Sequence, residues 1–333
     1  INLFVTLLST IAGLVIAFKG GESWSLVVKH MIFCISGGLL LIVLSEEYIL
    51  PKFKFKELLT FKKFSTPLFT TQVMNFFSRN FDNLLINRYM GDYTLGIYER
   101  SYRLLTLPIE QISGSISRVL LPALSQKLDD REAQKKLISL TIQLVFLATT
   151  PLSFILIIFT NDFVNILFGS KWLEMVPLLK YFGILILFQS ITPMLYNIFL
   201  VTQNTRKLFY INLFSQPTYI IIFIIFTIFF PSLYQLVATY TIFSIAFSLV
   251  FWHFSLKNIG ENLFFIFKSL KNQILYAILL LLSLLAIAMN EHLGFKIPLI
   301  LAVILIYTFI CVYHNKGFKY IIRDIFKSIK TNE

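Results

Sequence analysis

FSTPLFTTQVMNFFSRNFDNLLINRYMGDYTLGIYERSYRLLTLPIEQISGSISRVLLP, residues 64–122, decides the reading of this chain. It is apolar enough to cross a membrane twice, over about Phe64–Tyr89 and about Leu104–Leu124. Yet Arg79 and Asp82 sit in the middle of the first crossing, and Glu110 and Arg118 sit inside the second. A charge at membrane depth costs about 3 kcal/mol even on permissive scales, so such groups face a cavity or a partner.

The rest of the chain supports the membrane reading. Its 333 residues are 57% hydrophobic and only 14% charged. A soluble chain would carry roughly a quarter charged residues. Apolar runs of spanning length follow one another from Asn2–Phe18 and Trp24–Leu44, through the two crossings above, to Leu137–Thr160 and Pro177–Val201. Leu208–Phe230, Leu233–Phe254, Gln273–Met289 and Ile297–His314 complete the series. The fold class expected is an all-α, polytopic helical bundle of about ten transmembrane helices. GDYTLGIYERSYR, residues 91–103, reads as a polar turn between the third and fourth crossings, and DDREAQKK, residues 129–136, as an exposed helical start.

The net charge of +12 does not point to nucleic acid. Lys and Arg gather in short loops between apolar runs rather than on one basic face, and there is no stacking motif. One set of alternate loops, Glu46–Lys63, Gln126–Lys136, Thr202–Lys207 and Ser255–Lys271, holds most of them together with the tail. The asymmetry places that set and the C-terminus in the cytoplasm. The KFKFK run of the first loop and the tail NKGFKYIIRDIFKSIKTNE, with apolar residues at helical spacing, read as segments lying on anionic lipid.

No enzyme signature is present: no Walker loop, no G-x-S-x-G and no soluble catalytic domain. Cys34 and Cys311 lie inside apolar runs and read as small buried hydrophobes. The four histidines share no ligand spacing, so neither a metal nor a cofactor is expected. The sequence begins at Ile1, without Met and already inside an apolar run; no signal peptide is read there, and a fragment or a missing start is expected.

The charged spans carry the candidate site. Arg79 and Asp82 are three apart and share a helix face, so they pair with one another or line a polar cavity. Gln72, Asn75, Ser78, Asn80 and Asn83 make that span unusually polar for a lipid-exposed helix. Gln111, Ser115 and Arg118 fall at i, i+4 and i+7, one stripe of the next helix, with Glu110 beside them. Arg118 is near enough to the span's end to snorkel, or it faces the cavity. Gln189, Thr192, Pro193 and Asn197 interrupt a later span, and Asn212, Gln216 and Pro217 another. The two prolines read as bends of the kind that moving transporters use.

SRNFDNLLINRYMGDYTLGIYERSYRLLTLPIEQISGSISRVLLPALS resembles the central block of bacterial polysaccharide exporters and flippases. These are the Wzx and PST types of the MOP superfamily, related to the MATE exporters and the lipid II flippase. FGSKWLEMVPLLKYFGI and, more weakly, GGESWSLVV resemble further blocks in the expected order. The resemblance implies a MATE-like architecture of two six-helix lobes around a central cavity, with two extra C-terminal helices. On that scheme 1–45 holds the last two helices of an N-terminal lobe whose first helices are lacking, and 46–63 is a basic cytoplasmic linker. Residues 64–254 are then the six-helix C-terminal lobe, 255–314 a basic loop with the extra pair, and 315–333 a basic amphipathic tail.

The resemblance also implies a substrate, a polyprenyl-diphosphate-linked oligosaccharide carried across the cytoplasmic membrane by alternating access. The expected partners are the glycan polymerase and glycosyltransferases of the same pathway. Arg79 and Arg118 would hold the diphosphate, since the guanidinium fork bonds two oxygens at once. Asn75, Asn83, Gln111 and Ser115 would meet sugar hydroxyls, and Asp82 or Glu110 would couple transport to an ion. Competing readings are a MATE-type small-molecule exporter, a membrane-embedded glycan polymerase or ligase, and a scaffold subunit.

Overall fold

The computed structural model describes residues 2–21, 24–44, 55–128, 130–230, 232–290 and 296–314. Within its helices the side chains at 2–4, 41, 43–44, 55–65, 67–68, 71 and 74–79 fall outside that description. Every regular element described is a helix. Six are long and apolar enough to cross a membrane: Arg131–Ile158, Ser170–Val201, Thr205–Phe229, Leu233–Lys257, Phe264–Met289 and Lys296–His314. The chain is an all-α polytopic membrane protein.

It divides into two units, Ile1–Phe61 and Lys62–Glu333. In the first, α1 (Asn2–Phe18) and α2 (Trp24–Leu44) form an antiparallel pair. A side chain at Gly13 would meet Lys29 Cβ at 3.0 Å, and one at Gly37 would meet Val5 Cγ1 at 3.8 Å, so the register runs in opposite directions. Gly20, at φ 82°, turns the chain between them.

The second unit opens with a helical hairpin. α3 (Phe55–Pro108) is helical on both sides of Gly91, whose φ of 84° and ψ of 168° break it. Residues sixteen apart on an unbroken helix would be about 24 Å apart. Here Tyr98 reaches Asp82 at 2.8 Å and Asn83 reaches Glu99 at 2.9 Å, so the two arms fold back on one another. The expected turn over 91–103 is therefore a correction. The reversal occupies Gly91, and Asp92 already begins the returning helix. Gly91 alone supplies the backbone conformation, and the polar residues after it are helical surface.

The returning arm runs through a π-helical turn, Ile109–Ser113, into α4 (Gly114–Ser125). Pro108, with no N–H to give to the turn before it, sits at the start of that irregularity. α5 (Arg131–Ile158) starts where DDREAQKK predicts, with Asp130 accepting from the Ala133 N–H at 2.9 Å. A short α6 (Thr160–Leu167) and a 3₁₀ turn, Ser170–Met175, lead to α7 (Val176–Gln189). The span expected to bend at Pro193 is irregular just before it: Ser190 and Ile191 keep helical backbone angles, but the Ile191 N–H bonds Phe188 O, one residue short of the helical partner, at 3.3 Å. Pro193, at the start of α8 (Thr192–Val201), has no N–H to give to the Gln189 carbonyl, which accounts for the irregular turn. α9 (Thr205–Phe229), with Pro217 inside it, α10 (Leu233–Lys257), α11 (Phe264–Met289) and α12 (Lys296–His314) follow.

Lipid offers helices no hydrophobic reason to associate, so close packing and polar contacts must hold them. α5 and α7 cross at Gly183, where an added Cβ would stand 2.8 Å from Ile157 Cγ1 and 3.1 Å from Ser153 O. Ser153 Oγ donates to the Gly183 carbonyl at 2.7 Å. α11 is tied to α5 by Ser139 Oγ to Ser269 Oγ at 2.9 Å and Gln143 Nε2 to Ser269 O at 2.8 Å.

The two ends of the unit are distinct. At one, Lys135 pairs with Glu261 at 2.9 Å and Asn204 bonds Asn258 at 3.2 Å, joining the turns that hold Asp130, Asn204 and Glu261. At the other, Tyr93 of the hairpin tip bonds Glu174 at 3.3 Å. The basic tail over 315–333 and the KFKFK run up to residue 54 lie outside the described residues. Of the two cysteines Cys311 is buried as expected, whereas Cys34 is exposed, 3.8 Å from the His30 ring.

Candidate functional site

The hairpin places a carboxylate in the interior. Asp82 is only 8% exposed, although it lies about nine residues, or roughly 13 Å, along the arm from the Gly91 reversal. Its Oδ2 accepts the Tyr98 hydroxyl at 2.8 Å, and its Oδ1 accepts the Asn83 N–H at 2.8 Å. Tyr98 is held in turn by Tyr102, stacked at 5.7 Å, and by Phe182, edge-on at 6.4 Å. Hydrogen bonds to a charged group contribute about 1.5–3 kcal/mol each. Among the described residues both donors to this carboxylate are neutral, and one of them, Tyr98, sits in an aromatic group.

Asp82 opens onto a cavity of about 460 Å³ lined from α3, α4 and α7 to α10. The cavity falls between two apolar clusters, one around Ile86, Tyr98 and Phe182, the other around Leu124, Leu195 and Trp252. α3 contributes Asp82 and Tyr102, and α4 contributes Ser117. The irregular turn between α7 and α8, with its flanks, contributes Gln189, Thr192 and Tyr196. α9 supplies Asn212, Gln216 and Tyr219, and α10 supplies Tyr240 and Ser248.

The tyrosines brace one another. Tyr240 lies edge-on to Tyr102 at 6.3 Å and tilted against Tyr219 at 5.8 Å. Tyr219 donates to Ser244 Oγ at 3.3 Å. Trp252 donates to Thr192 Oγ1 at 3.2 Å and stacks on Phe188 at 5.9 Å. Asn212 is engaged by its own helix through Leu208 O at 2.9 Å. Gln189 and Gln216 donate to no other described residue, so their amides are available to whatever occupies the space.

The predicted site residues separate into two groups. Asp82 lines the cavity; Asn83, next to it, turns aside to Glu99. Gln111, Ser115 and Arg118 do share one face of the returning helix, and that face is exposed. Arg118 folds along its own helix, with Nε 3.3 Å from Gly114 O and Nη2 3.4 Å from Ser115 Oγ. Glu110 is paired with Arg103 at 3.3 Å across the π-helical turn, both exposed. The side chains of Asn75 and Arg79 lie outside the described residues. Among the described residues no Lys, Arg or His lines the cavity. No group of His, Cys, Asp and Glu that could hold a metal occurs among them.

The tyrosines Tyr98, Tyr102, Tyr196, Tyr219 and Tyr240 had no part in the sequence-based site. The amides Gln189, Asn212 and Gln216 did carry a signal, because polar groups inside apolar spans cost energy unless used. The tyrosines carried none, since Tyr is common at membrane interfaces and only the fold brings these five to one place.

A family model described as "Polysaccharide biosynthesis protein" matches residues 1–177, just over half of the chain. Among curated relatives, the teichuronic acid biosynthesis protein TuaB of Bacillus subtilis is 29% identical over 34% of this chain and 24% of its own length. The succinoglycan biosynthesis transport protein ExoT of Rhizobium meliloti is 26% identical over 56% of this chain and 37% of its own length. The lipopolysaccharide biosynthesis protein WzxC of Escherichia coli is 24% identical over 47% of this chain and 32% of its own length. The matches thus span about a quarter to about two fifths of each relative. No solved structure matches.

Proposed function

We propose that this chain, which belongs to the polysaccharide biosynthesis protein family, forms part of a flippase that moves a polyprenyl-diphosphate-linked oligosaccharide across the cytoplasmic membrane. The observation that carries the reading is the exposed polar face of the returning helix. Glu110, Gln111, Ser115 and Arg118 stand exposed together within a segment flanked by Leu, Ile and Val. Charges on a lipid-facing surface at that depth are costly, so the face suits the wall of a water-filled passage. The names of ExoT and WzxC, which carry transport and lipopolysaccharide biosynthesis, support the same reading.

On this reading Arg118, with Arg79 on the partner arm, binds the diphosphate through paired N–H donors. Asn75, Asn83, Gln111 and Ser115 meet hydroxyls of the saccharide. Residues 64–254 act as the C-terminal lobe and rock against an N-terminal lobe to which 1–45 contributes. Asp82 and Glu110 are the carboxylates through which an ion gradient drives that motion. The end of the bundle that gathers Asp130, Asn204 and Glu261 is cytoplasmic, as is the C-terminus, and its basic loops rest on anionic lipid. The glycosyltransferases and the polymerase of the same pathway are the partners.

Arg79→Ala in the full-length protein tests the reading. Surface glycan should be lost while the protein reaches the membrane at its normal level. Export at the unmodified rate would end the case for a cationic passage.

A further inference from the structure

From the cavity, rather than from the exposed face, we infer that the interior of the hairpin lobe holds a second binding site, for an uncharged sugar ring of the transported saccharide. The inference rests on the flippase reading for the identity of the molecule, and on the cavity lining for its chemistry. The volume of about 460 Å³ lies in the lower part of the range of small-molecule sites, about 300–1,000 Å³, and suits a mono- or disaccharide.

The lining excludes the other parts of the substrate. A diphosphate would meet the Asp82 carboxylate and, among the described lining residues, no cation. An isoprenoid tail would bury the Gln189 and Gln216 amides without partners, at about 1–3 kcal/mol each. A sugar hydroxyl both donates and accepts, and so answers every polar group present. Gln189 and Gln216 each offer a carbonyl and two N–H donors. Asp82 has lone pairs beyond those used by Tyr98 and the Asn83 N–H. The faces and edges of Tyr219 and Tyr240 supply apolar surface for the C–H face of the ring. An organic cation would use Asp82 and the tyrosines but leave the amide donors unanswered, which is why the sugar is favoured over it.

The test uses the purified full-length protein in lipid nanodiscs and saturation-transfer NMR. The probes are methyl glucoside, methyl galactoside, the methyl glycoside of N-acetylglucosamine, methyl glucuronide, tetramethylammonium and inorganic diphosphate, all at pH 8. At least one neutral glycoside should bind saturably, and diphosphate should not displace it. Gln189→Ala and Gln216→Ala should each weaken that binding about five-fold, as loss of one hydrogen bond of about 1 kcal/mol requires. Both side chains are only half-buried, so the variants should retain the fold, checked by unchanged melting. Methyl glucuronide should bind more weakly than methyl glucoside, and Asp82→Asn should narrow that gap.

The site is overturned if no neutral glycoside binds, if neither glutamine variant weakens binding, or if tetramethylammonium binds and the sugars do not. Glycan export by the full-length gene in a deletion strain, measured in parallel, separates the two proposals. Sugar binding without restored export removes the flippase reading and leaves the site. Restored export without sugar binding removes the site and leaves the flippase.

Discussion

Tyr98 donates its hydroxyl to the Asp82 carboxylate at 2.8 Å across a hairpin that reverses at Gly91. The bond joins the two arms at a point where both groups are buried, Tyr98 at 1% and Asp82 at 8% exposure. Tyr98→Phe removes the donor and keeps the ring packing against Tyr102 and Phe182. It should destabilise the protein by about 1–3 kcal/mol, the cost of a lost bond to a buried charged group. Asp82→Asn should cost less, because the amide oxygen still accepts. Thermal melting of Tyr98→Phe, Asp82→Ala and the double variant closes a cycle in which each change removes the bond, and a coupling below about 0.5 kcal/mol would show that the pair does not act together.

The hairpin depends on one residue. Gly91, at φ 84° and ψ 168°, occupies a region open to glycine and essentially closed to other residues. Gly91→Ala should therefore cost about 1–3 kcal/mol even though open space surrounds the position. Gly96 is equally uncrowded but lies in helix, where alanine gains up to about 1 kcal/mol over glycine. Gly96→Ala should raise the melting temperature and Gly91→Ala lower it. Equal effects from both would mean that the reversal does not need the glycine conformation.

Gly91 also marks how far the sequence could be read. The two helical arms around a polar stretch and the helical start at DDREAQKK are legible in the sequence, although neither arm is among the six described helices long and apolar enough to span. The turn itself is not, because GDYTLGIYERSYR has the composition of a loop while its residues after Gly91 are the surface of a helix end. The irregularity at Pro193, by contrast, is legible. A proline inside an apolar run removes one helical hydrogen bond, and the loss shows in the irregular turn at Ser190 and Ile191 just before it. The site divides in a similar way. The stripe of Gln111, Ser115 and Arg118 follows from helical period alone. The meeting of Tyr219 on α9 with Tyr240 on α10 and Tyr102 on α3 has no periodic signature, since it depends on which helices are neighbours.

The crossing of α5 and α7 has no room for a side chain at Gly183. A Cβ there would press on Ile157 Cγ1 at 2.8 Å and on the Ser153 carbonyl oxygen at 3.1 Å, and the second is backbone that cannot swing away. Gly183→Val should lower stability by about 1–3 kcal/mol, the usual cost of overpacking. A melting temperature equal to that of the unmodified protein would indicate that the two helices separate freely at this point.

Asp130 and Ser170 bracket α5 and α6, with 28 residues of α5 alone between them, about 42 Å of helix. That exceeds the thickness of a bilayer's hydrocarbon core, about 30 Å. In a variant with Cys34 and Cys311 replaced, cysteines placed singly at Asp130 and Ser170 should label from opposite sides of the membrane. Ser170 should react with an impermeant reagent added outside intact cells, and Asp130 only after the cells are opened. Labelling of both from outside would invert or break the proposed topology.

Arg118 offers the sharpest test of the proposed passage. Its two contacts, at 3.3 Å to Gly114 O and 3.4 Å to Ser115 Oγ, are long and exposed, so little is lost when it leaves them for a phosphate. Arg118→Ala should reduce surface glycan at least about ten-fold, the loss expected when a charge-assisted bond of about 1.5–3 kcal/mol disappears. Arg118→Lys keeps the charge but not the planar fork, and should leave export intermediate between the two. Ser115→Ala removes only the weak resting contact and should leave the stability of α4 unchanged. If Arg118 merely anchors the helix end at the surface, lysine would snorkel equally well and Arg118→Lys would export at the full rate. Quantified surface glycan, normalised to membrane protein level, separates these outcomes.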